Sequence, residues 1–214
     1  MPIPLDRLLA ASPYLRELEG RHRTWLATAV PAADAALAAE LAELGAAAGV
    51  AADEEAIGTR MRQAKGRIAL LAAAAETGGL WSTQQATAAL SDLADTALDA
   101  GLAVLLRRAH AKGDFLAEPA PGRSGLALFA LGKHGGRELN YSSDIDIVAF
   151  FDRDAGGLAD PDEATKTYSR IVQRLAALLQ DRVGGDYVFR TDLRLRPDPG
   201  STPVALSVDA ALAY

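Results

Sequence analysis

A nine-residue stretch rich in proline and glycine, AEPAPGRSG at 117–125, divides this chain into two parts whose apolar residues repeat with different periods. Upstream, apolar side chains recur at helical spacing and alanine dominates. Downstream they gather into short continuous runs bounded by glycine turns. A change from helical to strand-like patterning across a linker constrains the chain to an α+β architecture with its helices and sheet segregated. The expected organisation is a helical region at 1–116, a linker at 117–125 and a sheet-containing core at 126–214.

In the first part, Ser12 followed by Pro13 is a cap and first-turn signal, and Pro31 opens an Ala-rich helix to about Gly45. A helix is predicted over Asp53–Glu76, with Ile57, Met61, Ile68 and Leu71 near one face. Ser82 and Gln85 stand at capping-box spacing and open a long helix to about Ala111, closed at Lys112-Gly113. Taken alone, this region reads as a bundle without chemistry of its own.

In the second part, Leu126–Leu131 and Ile145–Phe151 read as strands buried on both faces. Asp160-Pro161-Asp162-Glu163 opens a helix running to about Arg182, and Gly184-Gly185 turns the chain into a third strand near Tyr187–Leu195. Along that strand Arg190, Asp192, Arg194 and Arg196 alternate with Phe189, Thr191, Leu193 and Leu195. The order implies a small mixed sheet with helical cover.

Composition narrows the classes of function. Net charge is -6, and 1–120 (11 basic, 15 acidic) and 121–214 (11 basic, 13 acidic) share it. No basic stripe marks a nucleic-acid backbone site. There is no cysteine, which excludes disulfides, thiolate metal sites and cysteine nucleophiles. The N-terminal MPIPLDRLLA lacks a signal-peptide core, and no apolar run reaches the roughly 18 residues of a membrane span. A cytoplasmic protein without membrane or nucleic-acid partners is expected.

The chemistry is concentrated in GKHGGRELNYSSDID, which begins at Gly132. In a strand, Asp144 and Asp146 would point to one face, where two like charges repel unless a cation stands between them. Asp192 in the third strand supplies another carboxylate. Three convergent carboxylates after a glycine turn suit divalent metals that hold a nucleotide's phosphates. Gly135 and Gly136 would let backbone amides approach a phosphate, with Gly132 upstream of them. Lys133 is a candidate phosphate contact or a solvent-facing turn lysine, and Ser142 and Ser143 either contact phosphate or hold the turn by capping. The arginines flanking Asp192 either neutralise it or bind phosphate beside it. His134 reads as a loop histidine without an acidic partner.

These residues resemble a known fold and family. A glycine turn, an Asp-x-Asp pair and a distant third aspartate are similar to the nucleotidyltransferase fold of the polymerase-β type, although Gly132-Lys133 replaces the usual Gly-Ser. GKHGGRELNYSSDIDIV closely resembles the glutamine synthetase adenylyltransferase and adenylyl-removing enzymes. MRQAKGRIALLAAAAETGGLW, ALSDLADTALDAGL and VFRTDLRLRPDPGSTPVALSVDAALAY extend the likeness over almost the whole chain. Asp198-Pro199-Gly200 departs from the Phe-Gly-Asp-Ser-Gly of some members.

The resemblance implies catalysis by Asp144, Asp146 and Asp192 with Mg²⁺ bound to them. It also implies phosphate contacts from Gly132, Lys133, Gly135, Gly136, Ser142, Ser143, Arg194 and Arg196. The implied partners are glutamine synthetase, ATP/ADP, inorganic phosphate and a PII-type nitrogen signalling protein. Three details favour the adenylyl-removing half over the attaching half: the preceding helical region, the wording ELNYSSDID and Arg190 ahead of the third carboxylate. Other outcomes are a nucleotidyltransferase acting on another acceptor, or a regulatory fragment that binds glutamine synthetase without catalysis. Family members continue well past the equivalent of Tyr214, so a core incomplete at its C-terminus, weakly active or inactive, with exposed apolar surface is expected.

Overall fold

The computed structural model describes residues 4–196 and 198–213; the first three residues of the N-terminal MPIPLDRLLA lie outside them. Five helices come first: α1 (Leu5–Ala11), α2 (Pro13–Ala29), α3 (Ala33–Val50), α4 (Glu54–Thr77) and α5 (Thr83–Ala111). Their starts follow the local chemistry. The Leu15 amide donates to Ser12 Oγ at 3.3 Å, the Ala56 amide to Asp53 Oδ1 at 2.9 Å, and Ser82 with Gln85 forms the expected capping box. Pro31 sits in a 3₁₀ turn, Val30–Ala32, that leads into α3, and α3 continues to Val50 rather than ending near Gly45.

The path Pro13–Val50 contains an 18-residue window of mean hydropathy 1.2, long and apolar enough to cross a bilayer by length and composition alone. The expectation that no such stretch exists is therefore corrected. Alanine supplies much of that hydropathy. Yet Glu40 within the path is buried in the bundle, accepting from Arg60 Nη1 at 2.5 Å and Arg67 Nη1 at 2.9 Å on α4.

α4 is buried nearly all round, with Ile57, Met61, Ile68 and Leu71 fully enclosed, and it packs along α5, α3 and α2. Small residues set how closely neighbours approach. A Cβ on Gly101 of α5 would come within 2.7 Å of Leu175 Cδ1, so glycine brings α5 against α7 (Ala164–Gln180). Glu54 ties three helices together, accepting from Arg108 of α5 and from Arg174 Nε of α7 at 2.5 Å. The helical bundle and the sheet's covering helix thus share one hydrophobic cluster, from Leu15 to Ala205.

The sheet is built around β2 (Ile145–Phe151). β1 (Leu126–Leu131) pairs with it antiparallel, placing Phe129 opposite Val148 and Leu131 opposite Asp146. β3 (Thr191–Asp192) and β4 (Ala205–Ser207) both pair parallel with β2, with Asp146 beside Asp192 and Ala149 beside Ala205. The predicted third strand over 187–195 is therefore only two residues long. Arg194 and Leu195 lie in a turn, and the chain returns to the same strand at β4, which the sequence reading missed.

α7 covers one face of the sheet with Ile171, Val172, Leu175 and Leu179. Its Tyr168 stacks beside Phe151 at 4.9 Å and donates to the Ser124 carbonyl at 2.6 Å. The expectation that β1 is buried on both faces fails: Ala127, Phe129 and Leu131 point to the uncovered face, and Phe129 is 53% exposed. β1 is an edge strand whose second face no described element covers.

Candidate active site

The carboxylates reach the start of β2 by different routes. Asp146 is in the strand, and parallel pairing sets it beside Asp192 on the adjacent one. Residues paired across neighbouring strands point to the same face, and the strands lie about 4.8 Å apart. Asp144 precedes the strand, is exposed, and accepts from Arg190 Nε at 2.5 Å. Arg190 also donates to the Ser142 carbonyl at 2.9 Å, fastening the loop ahead of β2 to the approach to β3.

Asp192 is gripped by Arg194, whose Nη2 lies 2.6 Å from Oδ2 and whose backbone amide donates to Oδ1 at 2.8 Å. The guanidinium, and after it the amide, hold this carboxyl down at about 2. Among the described residues no three His, Asp or Glu side chains are gathered closely enough to hold a metal as they stand. Arginines occupy the positions of positive charge, and a divalent ion bound there would compete with Arg190 and Arg194 for carboxylate oxygens.

Gly132 explains itself sterically. Its φ is +55°, in the left-handed region, and a Cβ there would collide with Asp146 Oδ2. The chain leaves β1 directly over the Asp146 carboxylate and can do so only as glycine. Gly132→Ala is expected to cost about 1–3 kcal/mol through backbone strain and to displace Asp146; urea unfolding and activity, measured together, check it. Gly135 has a different reason: its Cβ would lie 2.5 Å from the Ala130 carbonyl oxygen. Gly136 closes the short helix α6 (Gly132–Gly135) by donating to the Gly132 carbonyl at 3.0 Å.

The remaining residues of the motif mostly anchor it. His134 is corrected from a bland loop residue: it is buried and its Nε2 lies 2.8 Å from Asp95 Oδ1 on α5. Arg137 donates to Asp92 Oδ1 at 2.6 Å, and the buried Leu139 donates its amide to Ser91 Oγ at 3.4 Å. The glycine turn is thus fastened along α5. Ser143 Oγ donates to Asn140 Oδ1 at 2.7 Å and holds the turn, while Ser142 and Lys133 are exposed.

Arg196 spends its guanidinium on the carbonyls of Leu193 (2.5 Å), Pro199 (2.9 Å) and Thr202 (3.3 Å), pinning the excursion between β3 and β4. No local pattern signals the His134–Asp95 and Arg137–Asp92 pairs, because each joins positions about forty residues apart.

The family model described as glutamate-ammonia ligase adenylyltransferase matches residues 4–214. Three relatives are each named bifunctional glutamine synthetase adenylyltransferase/adenylyl-removing enzyme. The one from Rhizobium meliloti is 42% identical over 98% of this chain and 22% of its own length. That from Xanthobacter autotrophicus is 45% identical over 95% of this chain and 21% of its own length. That from Rhodopseudomonas palustris is 41% identical over 100% of this chain and 22% of its own length. The chain spans about a fifth of the length of these curated relatives. With the family model covering nearly every residue, the chain belongs to the glutamate-ammonia ligase adenylyltransferase family.

Proposed function

We propose that this chain carries the adenylyl-removing activity of its family, the phosphorolysis of tyrosyl-AMP on adenylylated glutamine synthetase. The observation that carries this reading is the pairing of Asp146 with Asp192 beneath Gly132, with Asp144 at the mouth of the same strand. The relatives are named for two activities, and the wording ELNYSSDID together with Arg190 favours removal for this stretch.

In the reaction an oxygen of inorganic phosphate bonds to the α-phosphorus. The bond from that phosphorus to the tyrosyl oxygen breaks, the tyrosyl oxygen takes up a proton, and ADP leaves. Asp144, Asp146 and Asp192 are the residues that would hold Mg²⁺; when bound it neutralises charge on the phosphoryl oxygens. Their fit rests on the register of β2 with β3 and on the room that Gly132 leaves over Asp146. Arg190 and Arg194 already stand at the carboxylates, where exchange from carboxylate to phosphate oxygens is an exchange of like partners. Lys133 is exposed on the turn that follows β1. In-line displacement at phosphorus depends chiefly on positioning and charge neutralisation, which this set of groups supplies.

Incubation of the chain with adenylylated glutamine synthetase, Mg²⁺ and labelled inorganic phosphate is expected to yield ADP labelled at its β-phosphorus. Attachment of AMP from ATP without ADP release from the adenylylated enzyme would reverse the assignment. Label released only from a different adenylylated protein would change the acceptor.

A further inference from the structure

A cavity of about 270 Å³ lies between α2, α4 and the loops at 141–142 and 182–187, and reaches the loop ahead of Asp144 at Ser142. None of Asp144, Asp146 and Asp192 lines it. Lys65 of α4 does, and it is 93% buried because only 7% of its surface is exposed. Its ammonium sits 3.8 Å from the centre of the Phe189 ring, and among the described residues no carboxylate pairs with it. Burial lowers its pKa from 10.5 to about 7. A buried, unpaired amine is costly and calls for a compensating group.

The rest of the lining has the same character. The Tyr141 hydroxyl is buried without a hydrogen-bond partner, and burial pushes its pKa to about 12, so it remains a donor. Arg62 donates to Thr59 and also borders a neighbouring cavity lined by Glu54, Glu55 and Asp181, while Arg182 donates to the Gly185 carbonyl and stacks on Tyr187. The two acids of the lining, Glu17 and Asp186, are both taken by Arg21, at 3.4 and 2.6 Å. Lys65, Arg62, Arg182 and the Tyr141 hydroxyl therefore line the cavity without pairing to either of these acids, alongside two further phenols, Tyr14 and Tyr187.

We infer that this cavity is a binding site for a phosphate group, held by Lys65, Tyr141 and Arg62 with Arg182 at its margin. A compact, multiply charged oxyanion accepts from donors arriving on several sides, and a cavity just below the usual range of about 300–1,000 Å³ encloses one with space beside it. Free inorganic phosphate and the end of a nucleotide offer the same chemistry to these donors. The assignment does not depend on which half-reaction the carboxylates perform.

The chain has four lysines, at 65, 112, 133 and 166, so lysine side-chain carbon-13 resonances report on each one separately. Titration of the chain with inorganic phosphate, without Mg²⁺ or glutamine synthetase, is expected to move the Lys65 resonance saturably and leave Lys112 and Lys166 in place. ADP and AMP form the second arm; a shift at Lys65 with ADP alone assigns the site to a nucleotide's terminal phosphate. By calorimetry, Lys65→Met is expected to weaken phosphate binding at least about tenfold, and Tyr141→Phe about fivefold.

A Lys65 resonance that stays in place through the millimolar range of both ligands overturns the inference. So does a shift confined to Lys133, which would put the phosphate on the glycine turn. Unchanged affinity in both variants overturns it as well. Phosphorolysis plays no part in this readout, so its outcome is separable from that of the catalytic assignment.

Discussion

Asp146→Asn is expected to lower the phosphorolysis rate by about a thousandfold or more, on the order of 4 kcal/mol of barrier, with the fold intact. The substitution keeps the shape of the side chain and removes its charge. Asp146 lies within β2, paired with Leu131 on one side and Asp192 on the other, and its Oδ2 lies under Gly132. An asparagine there leaves both ladders in place. What it removes is one of the two carboxylates whose register fixes the site. The rate measurement belongs beside a thermal melt. A lost rate with an unchanged melting temperature supports the assignment. Full activity in Asp146→Asn would place the reaction elsewhere in the chain. Asp144→Asn separates the roles further, since it also releases Arg190 from its partner at 2.5 Å.

Lys65→Met is expected to stabilise the chain by a few kcal/mol at pH 6, and by progressively less as the pH rises. Each pKa unit corresponds to about 1.4 kcal/mol between protonation states. The folded pKa lies near 7 against an ordinary 10.5, so folding disfavours the charged amine. Below pH 7 both folded and unfolded chains carry the proton and the penalty is complete. Between 7 and 10.5 the unfolded chain binds the proton more readily, and above 10.5 the penalty disappears. Methionine has a similar length and packs against Phe189 without any charge. Urea unfolding at pH 6 and again near pH 10 checks this; an equal difference at both values would show that the lysine is not desolvated.

How much of this was legible in the sequence depended on whether the signal was local. The capping box at Ser82, the cap at Ser12 and the runs Leu126–Leu131 and Ile145–Phe151 involve neighbours, and the structure reproduces them. The third strand was overextended because the alternation from Phe189 to Arg196 mimics a strand. Local hydrogen bonding instead turns the chain at Arg194, where the Asp192 carboxylate captures the amide two residues on. β4 carries only three paired residues and gave no period to read.

At the site, the identity of the carboxylates was readable but their company was not. Arg190 binds Asp144 and Arg194 binds Asp192, whereas alternation had grouped the arginines around Asp192 alone. Gly132 stood out in the motif, but its reason, the carboxylate lying where a Cβ would go, required the fold. Lys65 looks like one more surface lysine in MRQAKGR; only the packing of α4 against Phe189 reveals it as buried.

The two short strands on one edge of β2 determine where evolution can edit this protein. β2 advances three residues from Asp146 to Ala149, while the opposite edge uses thirteen from Asp192 to Ala205. The surplus leaves the sheet and returns, stapled by Arg196. Length changes within that detour alter neither anchor, because loop closure costs little per added residue. Insertions or deletions inside β2 would shift both anchors at once and turn the carboxylates to the wrong face. Lineages can therefore vary the detour, as Asp198-Pro199-Gly200 does here, while the spacing of Ile145–Phe151 is held fixed by the geometry of the carboxylates.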